Sequence, residues 1–344
     1  MTGAGPDLVT GVTGQDGALL AALLLGRGRR VVGTHRPGRP PDRWRLDGLG
    51  ISAHPALELR ALDPVDAVAS ASLIDACRPA TVFHLAGESS VVAALADPAR
   101  VFAANARSTI NLLEAVRHHA PDARFVLAAS AEMFAPDVTG PLDETAPFAP
   151  ATPYGASKLA AHAAVSAWRA SFGLHAASAI LFHHESEWRG DAFVTRTITR
   201  AAARIATGRA DVLDLGNLDA ARDFAYAPDV VAAMAAMAAR TLPSDYVLAT
   251  GRATRVRDFA TAAFAALGMP LVWSGTGAAE VARDPGGVVR VRVDPARFRP
   301  ADAPVRVGNA ARARLELGFA PTLDVAEIAA RMAHADFARA QAGR

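Results

Sequence analysis

Lysine is almost missing from this 344-residue chain: Lys158 is the only one, and the other 35 of its 36 basic Lys and Arg positions are arginine. Cysteine occurs once, at Cys77, which excludes an intrachain disulfide and a cysteine-based metal site and suits a reducing cytoplasm. Tyrosine is confined to Tyr154, Tyr226 and Tyr246. Long apolar runs are absent too. The longest candidate, 18–25, is too short to span a bilayer and reads as the buried face of a helix. No charged segment followed by an apolar core opens the sequence, so no secretory leader is expected. The arginines are scattered rather than striped, and the formal net charge is only +2, so neither nucleic acid nor a membrane is an expected partner. The adjacent His118 and His119 do not face each other on a helix, and Glu114 can pair with His118, so no metal site is expected.

What is present is a globular composition, with 51% apolar and 20% charged residues in a length that suits two domains or one domain with an added lobe. Strand signals at 8–10, 30–33, 57–62, 81–86, 125–129 and 178–182 alternate with helical patterns, notably 18–26, 109–118 and 153–172. Such alternation predicts a Rossmann-type α/β fold, a doubly wound parallel sheet with its ligand crevice at the carboxyl ends of the strands. Residues 1–182 are expected to form the dinucleotide domain. Residues 183–344, less regular and richer in proline turns, are expected to form a smaller α/β substrate lobe, with some segments returning to the first domain.

Gly11, Gly14 and Gly17, with Gln15 and Asp16 among them, join the first strand to the first helix. This spacing allows a tight turn, close approach to a pyrophosphate, and docking of that group on the helix N-terminus. Where an NAD-binding chain carries an acidic residue after the second strand, His35-Arg36 stands instead. Positive charge there suits the 2′-phosphate of NADP, although an exposed Arg36 is the plain alternative. Asp63, after the third strand, is a candidate for the adenine amino group or a simple loop cap.

Tyr154 and Lys158 lie four residues apart, on one face of a helix. A phenol with a pKa of about 10 becomes a useful base only when a nearby cation favours its anion. A chain so committed to arginine carries its one ammonium here, which makes a solvated i,i+4 pair a poor account of the spacing. Upstream, the strand 125–129 ends in Ser130 and Glu132. Ser130 could bind the same hydroxyl as Tyr154, and Glu132 offers a second base or a cap for the following turn.

These residues, with longer stretches around them, resemble the GDP-mannose 4,6-dehydratases of the extended short-chain dehydrogenase/reductase superfamily. The stretches are VTGVTGQDG (9–17), SAEMF (130–134), PFAPATPYGASKLAAH (147–162), ILFHHESEWRGDAFVTRTITRA (180–201), LGNLDAARDFAYAPDVV (215–231), ATGRATRVRDF (249–259) and VRVDPARFRP (291–300). The resemblance implies a redox-neutral, NADP-dependent hydro-lyase that converts GDP-mannose to GDP-4-dehydro-6-deoxy-mannose, for deoxysugar synthesis. Tyr154 would be the C4 base, Lys158 its electrostatic partner, Ser130 the usual threonine, and Glu132 the C5 base. Cofactor contacts would come from the glycine loop, Arg36, Asp63, Leu85, Ala86, Lys158, His184 and Arg189. Nucleotide-sugar contacts would come from His183, Val194, Arg222 and Arg299, and the assembly would be a homodimer or homotetramer.

The chain departs from the family's usual residues at Glu88, Ser90, His183, Glu187, Thr197 and Tyr226, all near the expected substrate pocket. Two other readings therefore stand beside the dehydratase: an epimerase or reductase of the same superfamily, and a weakened NADP-binding paralogue.

Overall fold

Apolar runs bounded by turn residues become strands wherever helices cover both sheet faces, and seven do so here. The computed structural model describes residues 5–297 and 305–343. The strands are β1 (Asp7–Thr10), β2 (Val31–His35), β3 (Leu57–Ala61), β4 (Thr81–His84), β5 (Arg124–Ala128), β6 (Ala176–Leu181) and β7 (Tyr246–Leu248). They form one parallel sheet in the order β7-β6-β5-β4-β1-β2-β3. Every residue of β1, β4, β6 and β7 is buried, which is why their sequences run apolar rather than alternating. β3, at one edge, carries Glu58 and Arg60, paired with each other in solvent, and such charges discourage pairing with another chain. Strand order reverses between β1 and β4, the switch point at which a doubly wound sheet opens its ligand crevice.

The described residues divide into two compact units. The first spans residues 1–182, 227–248 and 309–320; the second spans 183–226, 249–308 and 321–344. The returning strand β7 was not among the expected strands. It is only three residues long, and its place depends on partners remote in sequence: Val247 N donates to Glu144 Oε1 (2.7 Å) and the Tyr246 hydroxyl to Glu316 Oε2 (2.7 Å).

Within the first unit, the helix Gln15–Gly26 follows the glycine loop, and Pro153–Phe172 carries the tyrosine and lysine. The latter has a complete set of end signals. Thr152 caps it by accepting from Gly155 N (3.0 Å), Pro153 opens it, and Gly173 closes it at φ 70°.

The second unit has its own core, where the helices Val194–Ala206, Val256–Ala266 and Val325–Gln341 bury Ile198, Ala202, Phe259, Phe264, Ile328 and Met332. Strand Ala221–Tyr226 pairs in parallel with His183–Glu185 and antiparallel with Ala253–Arg255. A four-stranded sheet, Val272–Ser274, Val281–Arg283, Val289–Val293 and Leu213–Leu215, completes the unit. No helix of the described residues is long and apolar enough to cross a membrane.

Candidate active site

The glycine loop leaves β1 where the sheet order reverses. A Cβ at position 17 would lie 2.3 Å from the Gly11 carbonyl oxygen, so only glycine lets the helix start this close to the loop. Gly14 precedes the first helical turn with no side-chain cap, leaving the amides of that turn available to an anion. Gln15 is buried and its amide nitrogen donates to Asp16 Oδ1 (3.0 Å). Arg36 is exposed beyond the end of β2, and Asp63 is exposed with Oδ1 accepting from Val65 N (3.0 Å), a loop-capping contact. Arg45, on the short helix Trp44–Gly48, donates from Nη1 to Thr13 O within the glycine loop (2.9 Å). Sequence reasoning passed over Arg45, whose only signal was one more arginine in a chain full of them.

The turn after β4 is held from below. Thr10 Oγ1 accepts from Leu85 N (3.1 Å) and Ala86 N (3.0 Å), so its hydroxyl hydrogen goes to His84 Nδ1 (2.9 Å). That leaves the imidazole's one N–H hydrogen on Nε2, which donates to Ser108 Oγ (3.1 Å), and Ser108 donates to Ala104 O (2.6 Å). Burial, helped by the Lys158 cation, pushes His84 down to about 3, so the ring is neutral and serves as a spacer for Leu85 and Ala86.

β5 delivers the next group. Ser130 caps a single turn, Ala131–Met133, by accepting from Glu132 N (3.2 Å). The Glu132 carbonyl lies so near the start of the helix Pro153–Phe172 that a Cβ on Gly155 would stand 2.3 Å from it. The segments that carry Ser130 and Glu132 thereby meet the start of the helix that carries Tyr154 and Lys158, after the carboxyl end of β5. Lys158 Nζ donates to Ala128 O (2.9 Å), and burial brings its pKa down to about 8, with Asp16 opposing the shift. Tyr154 is buried against Ala94 and Val101, from the helices Val91–Ala96 and Pro98–Phe102.

Asn105 is the other residue that sequence reasoning missed. It sits in the π-turn Ala103–Arg107, a local widening of the helix often found at functional sites. Its Nδ2 reaches Ser157 Oγ (2.9 Å) and Glu88 O (3.2 Å), while Oδ1 accepts from Glu88 N (2.9 Å). It therefore ties the segment after β4 to the helix between Tyr154 and Lys158. Glu88 itself turns back on its own loop: Oε1 accepts from Ser89 N (3.0 Å) and Ser90 N (3.2 Å), and Oε2 faces Arg100 at 3.5 Å. The charge of this departure is thus met locally, and Ser90 caps the helix Val91–Ala96 through Ala93 N (3.1 Å).

In the second unit, His183 and His184 open the strand His183–Glu185, with His183 opposite Phe224. His183 is pushed down to about 3, first by burial and then by Arg222, Arg189, His184 and Arg306. Arg189 lies against the Glu185 carboxylate (3.2 Å), with its guanidinium 3.5 Å from the Phe193 ring centroid. Val194 opens its helix, 40% exposed, with no side-chain cap before it. Arg222 lies on Ala221–Tyr226 and donates to Ala221 O (2.8 Å). Arg299 lies outside the described residues. Two departures, Glu187 and Tyr226, form one contact: the Tyr226 hydroxyl donates to Glu187 Oε2 (3.4 Å), and Arg331 pairs with Glu187 Oε1 (3.4 Å) over the tyrosine ring. Thr197 donates to Phe193 O (3.2 Å), a helix-internal contact. Among the described residues, no three or more His, Cys, Asp or Glu side chains converge as a metal site.

A parallel sheet of this order, with a glycine loop at its switch point and a Tyr-x-x-x-Lys helix beside β5, defines a Rossmann-type fold of the short-chain dehydrogenase/reductase kind. A sequence model of the GDP-mannose 4,6 dehydratase family matches residues 8–332. The chain is 38% identical over 338 residues to GDP-mannose 4,6-dehydratase of Sinorhizobium fredii (strain HH103), covering 96% of this chain and 95% of that protein. It is 36% identical over 344 residues to GDP-mannose 4,6 dehydratase 2 of Caenorhabditis elegans, covering 97% and 90%. Among solved structures, UDP-glucose 4-epimerase of Thermotoga maritima superposes with a TM-score of 0.80 at 20% identity, covering 98% and 99%, a likeness of fold alone. The chain belongs to the GDP-mannose 4,6-dehydratase family.

Proposed function

We propose that this chain is an NADP-dependent, redox-neutral hydro-lyase that converts GDP-mannose to GDP-4-dehydro-6-deoxy-mannose. The observation that supports the reading is the close approach of the Ala131–Met133 turn, which carries Glu132, to Gly155, the neighbour of Tyr154. Oxidation alone would need only the tyrosine, the lysine and a hydroxyl. A carboxylate in addition suits removal of a second, carbon-bound proton.

The residues present fit NADP. Gly17 leaves a cradle that a Cβ would fill, uncapped amides open the helix Gln15–Gly26, and Arg36 and Arg45 supply cations for a 2′-phosphate. When bound, NADP supplies the acceptor for the C4 hydride, which returns to C6. Tyr154 takes the C4 hydroxyl proton, Ser130 holds that hydroxyl, and the ammonium of Lys158 favours the phenolate. The C4 ketone acidifies C5, Glu132 takes the C5 proton, the C6 hydroxyl leaves as water with the proton that Tyr154 gained, and the proton on Glu132 returns to C5 as C6 is reduced. The second unit is read as the nucleotide-sugar lobe, with His183, Val194 and Arg222 as contacts and His184 and Arg189 directed to the cofactor. We read the working form as a cytoplasmic homodimer or homotetramer. The exposed Val92, Leu95 and Phe102, on helices that pack beside Tyr154, support assembly.

The test is incubation of the purified chain with GDP-mannose and catalytic NADP⁺. Loss of one water without net cofactor reduction is expected. A mass-neutral isomer would mean epimerisation, and cofactor binding without turnover a non-catalytic relative. Glu132→Gln should still form NADPH in a single turnover, yet slow water loss by roughly 100-fold or more. Normal dehydration by that variant would remove Glu132 from its role.

A further inference from the structure

Arg189 is held at its Nε and across its face. The Nε lies 3.2 Å from Glu185 Oε2, the guanidinium stands 3.5 Å from the Phe193 ring centroid, and the side chain is only 12% exposed. Among the described residues no hydrogen bond reaches either terminal nitrogen. A largely buried guanidinium in that state gains from an added acceptor, and phosphate oxygens suit its two terminal N–H groups.

The backbone beneath Arg189 is fixed by a second arginine. Arg196, 4% exposed, donates from Nη1 to Glu187 O (2.9 Å) and Arg189 O (3.1 Å), and its Nη2 pairs with Asp336 Oδ1 (2.9 Å). Asp336 also accepts from Thr199 Oγ1 (2.7 Å) and pairs with Arg339 (3.0 Å), whose guanidinium lies 5.1 Å from the Trp188 ring centroid. Ser186 closes the turn: its Oγ accepts from Trp188 N (3.2 Å) and its carbonyl from Arg189 N (3.0 Å). Thr195, next to Arg196, donates to Glu185 Oε2 (2.5 Å), the oxygen that Arg189 faces. Two adjacent residues of one helix thus hold both the carboxylate partner and the backbone of Arg189.

We propose that Arg196 is a positioning residue: too buried to touch a ligand, it holds the segment 187–189 so that Arg189 presents its terminal nitrogens to a phosphate of the bound cofactor. The inference rests on the function proposed above, in which Arg189 meets the cofactor, and adds a residue outside the expected contact set. One guanidinium serves two carbonyls and a carboxylate at once because its N–H groups are fixed in a plane. An ammonium in its place keeps the charge opposite Asp336 without that geometry. Loosening the segment leaves Arg189 charged but less well aimed, and the ordering it then needs on binding costs affinity.

The experiment is a double-mutant cycle on the full chain, with the Kd for NADPH read by calorimetry and folding checked by urea unfolding. Arg189→Gln should raise that Kd about tenfold, roughly 1.4 kcal/mol. Arg196→Lys should raise it about fivefold in the unmodified chain, yet by less than about twofold on the Arg189→Gln background, because it acts only through Arg189. General loosening of the unit would instead add to the loss in the double variant. If Arg196→Lys does not fold, Asp336→Asn is the milder probe: it keeps an acceptor oxygen but drops the charge, and should raise the Kd about threefold with the same dependence on Arg189. An Arg196→Lys Kd within about twofold of the unmodified chain would overturn the proposal, as would a fully additive loss in the double variant. No effect of Arg189→Gln would overturn the cofactor reading of Arg189, and this inference with it.

Discussion

Around Lys158 the first unit uses backbone and neutral groups. The ammonium donates to a carbonyl, His84 is held uncharged between two hydroxyls, and Asn105 bridges two segments through its amide. Around Arg196 the second unit adds buried charge to its apolar core. Asp336 is buried with Arg196 at 2.9 Å, takes Arg339 at 3.0 Å, and accepts from Thr199 Oγ1 at 2.7 Å. Arg196 in turn donates to the carbonyls of Glu187 (2.9 Å) and Arg189 (3.1 Å), fixing the segment between His183 and Val194. The contrast shows two ways to hold a site. Under the proposed function, a proton-transfer centre gains from one cation whose field is not diluted by others, whereas a polyanion site uses an arginine-rich frame.

Breaking the second unit should have the largest effect. Asp336→Ala leaves Arg196 buried without its carboxylate, and a loss of about 3–5 kcal/mol in denaturant unfolding is expected. A loss below about 1 kcal/mol would mean that the ion pair does not hold the unit. In the first unit the sign should reverse. The buried ammonium of Lys158 is depressed from 10.5 to about 8, so the unfolded chain binds more protons between those values and stability rises with pH across them. Below that window the charge costs stability. Lys158→Met, lacking the charge but also the bond to Ala128, should leave the cofactor-free protein about 1–3 kcal/mol more stable while turnover is abolished. A destabilised, inactive variant would contradict the desolvation argument.

The last test is a slope rather than a loss, and its cause is present in both units. His84 and His183 are each held at about 3 against an ordinary 6.5, so the unfolded state takes up protons first. Their contribution to stability is present above pH 6.5 and is lost progressively as pH falls towards 3. His84→Asn, which keeps a neutral donor and acceptor, should flatten that slope in a pH series of melting temperatures. An unchanged slope would show that the imidazole is not buried neutral.

The first unit was largely legible in sequence because its signals are local. The glycine loop, the run of apolar strands, and the capped helix Pro153–Phe172 each lie within a few residues of chain. Its misses were contacts across the chain: β7, set by Glu144 and Glu316; Arg45 on the glycine loop; and Asn105, joined to Ser157 from 52 residues away. The departures were harder to read. Sequence placed Glu88 and Tyr226 near the expected substrate pocket without their partners, which are the residue's own loop and Arg100 for Glu88 and Glu187 for Tyr226. Two departures that touch in space, Glu187 and Tyr226, stand 39 residues apart in sequence.

The isolation of the single lysine and its spacing from Tyr154 needed no structure, since one helical turn sets that geometry by itself. How the turn that carries Glu132 comes against Gly155, and how Asn105 reaches Ser157, was decided only by the tertiary fold. Those groups come together through buried hydrogen bonds between segments tens of residues apart, and no local periodicity encodes that closure.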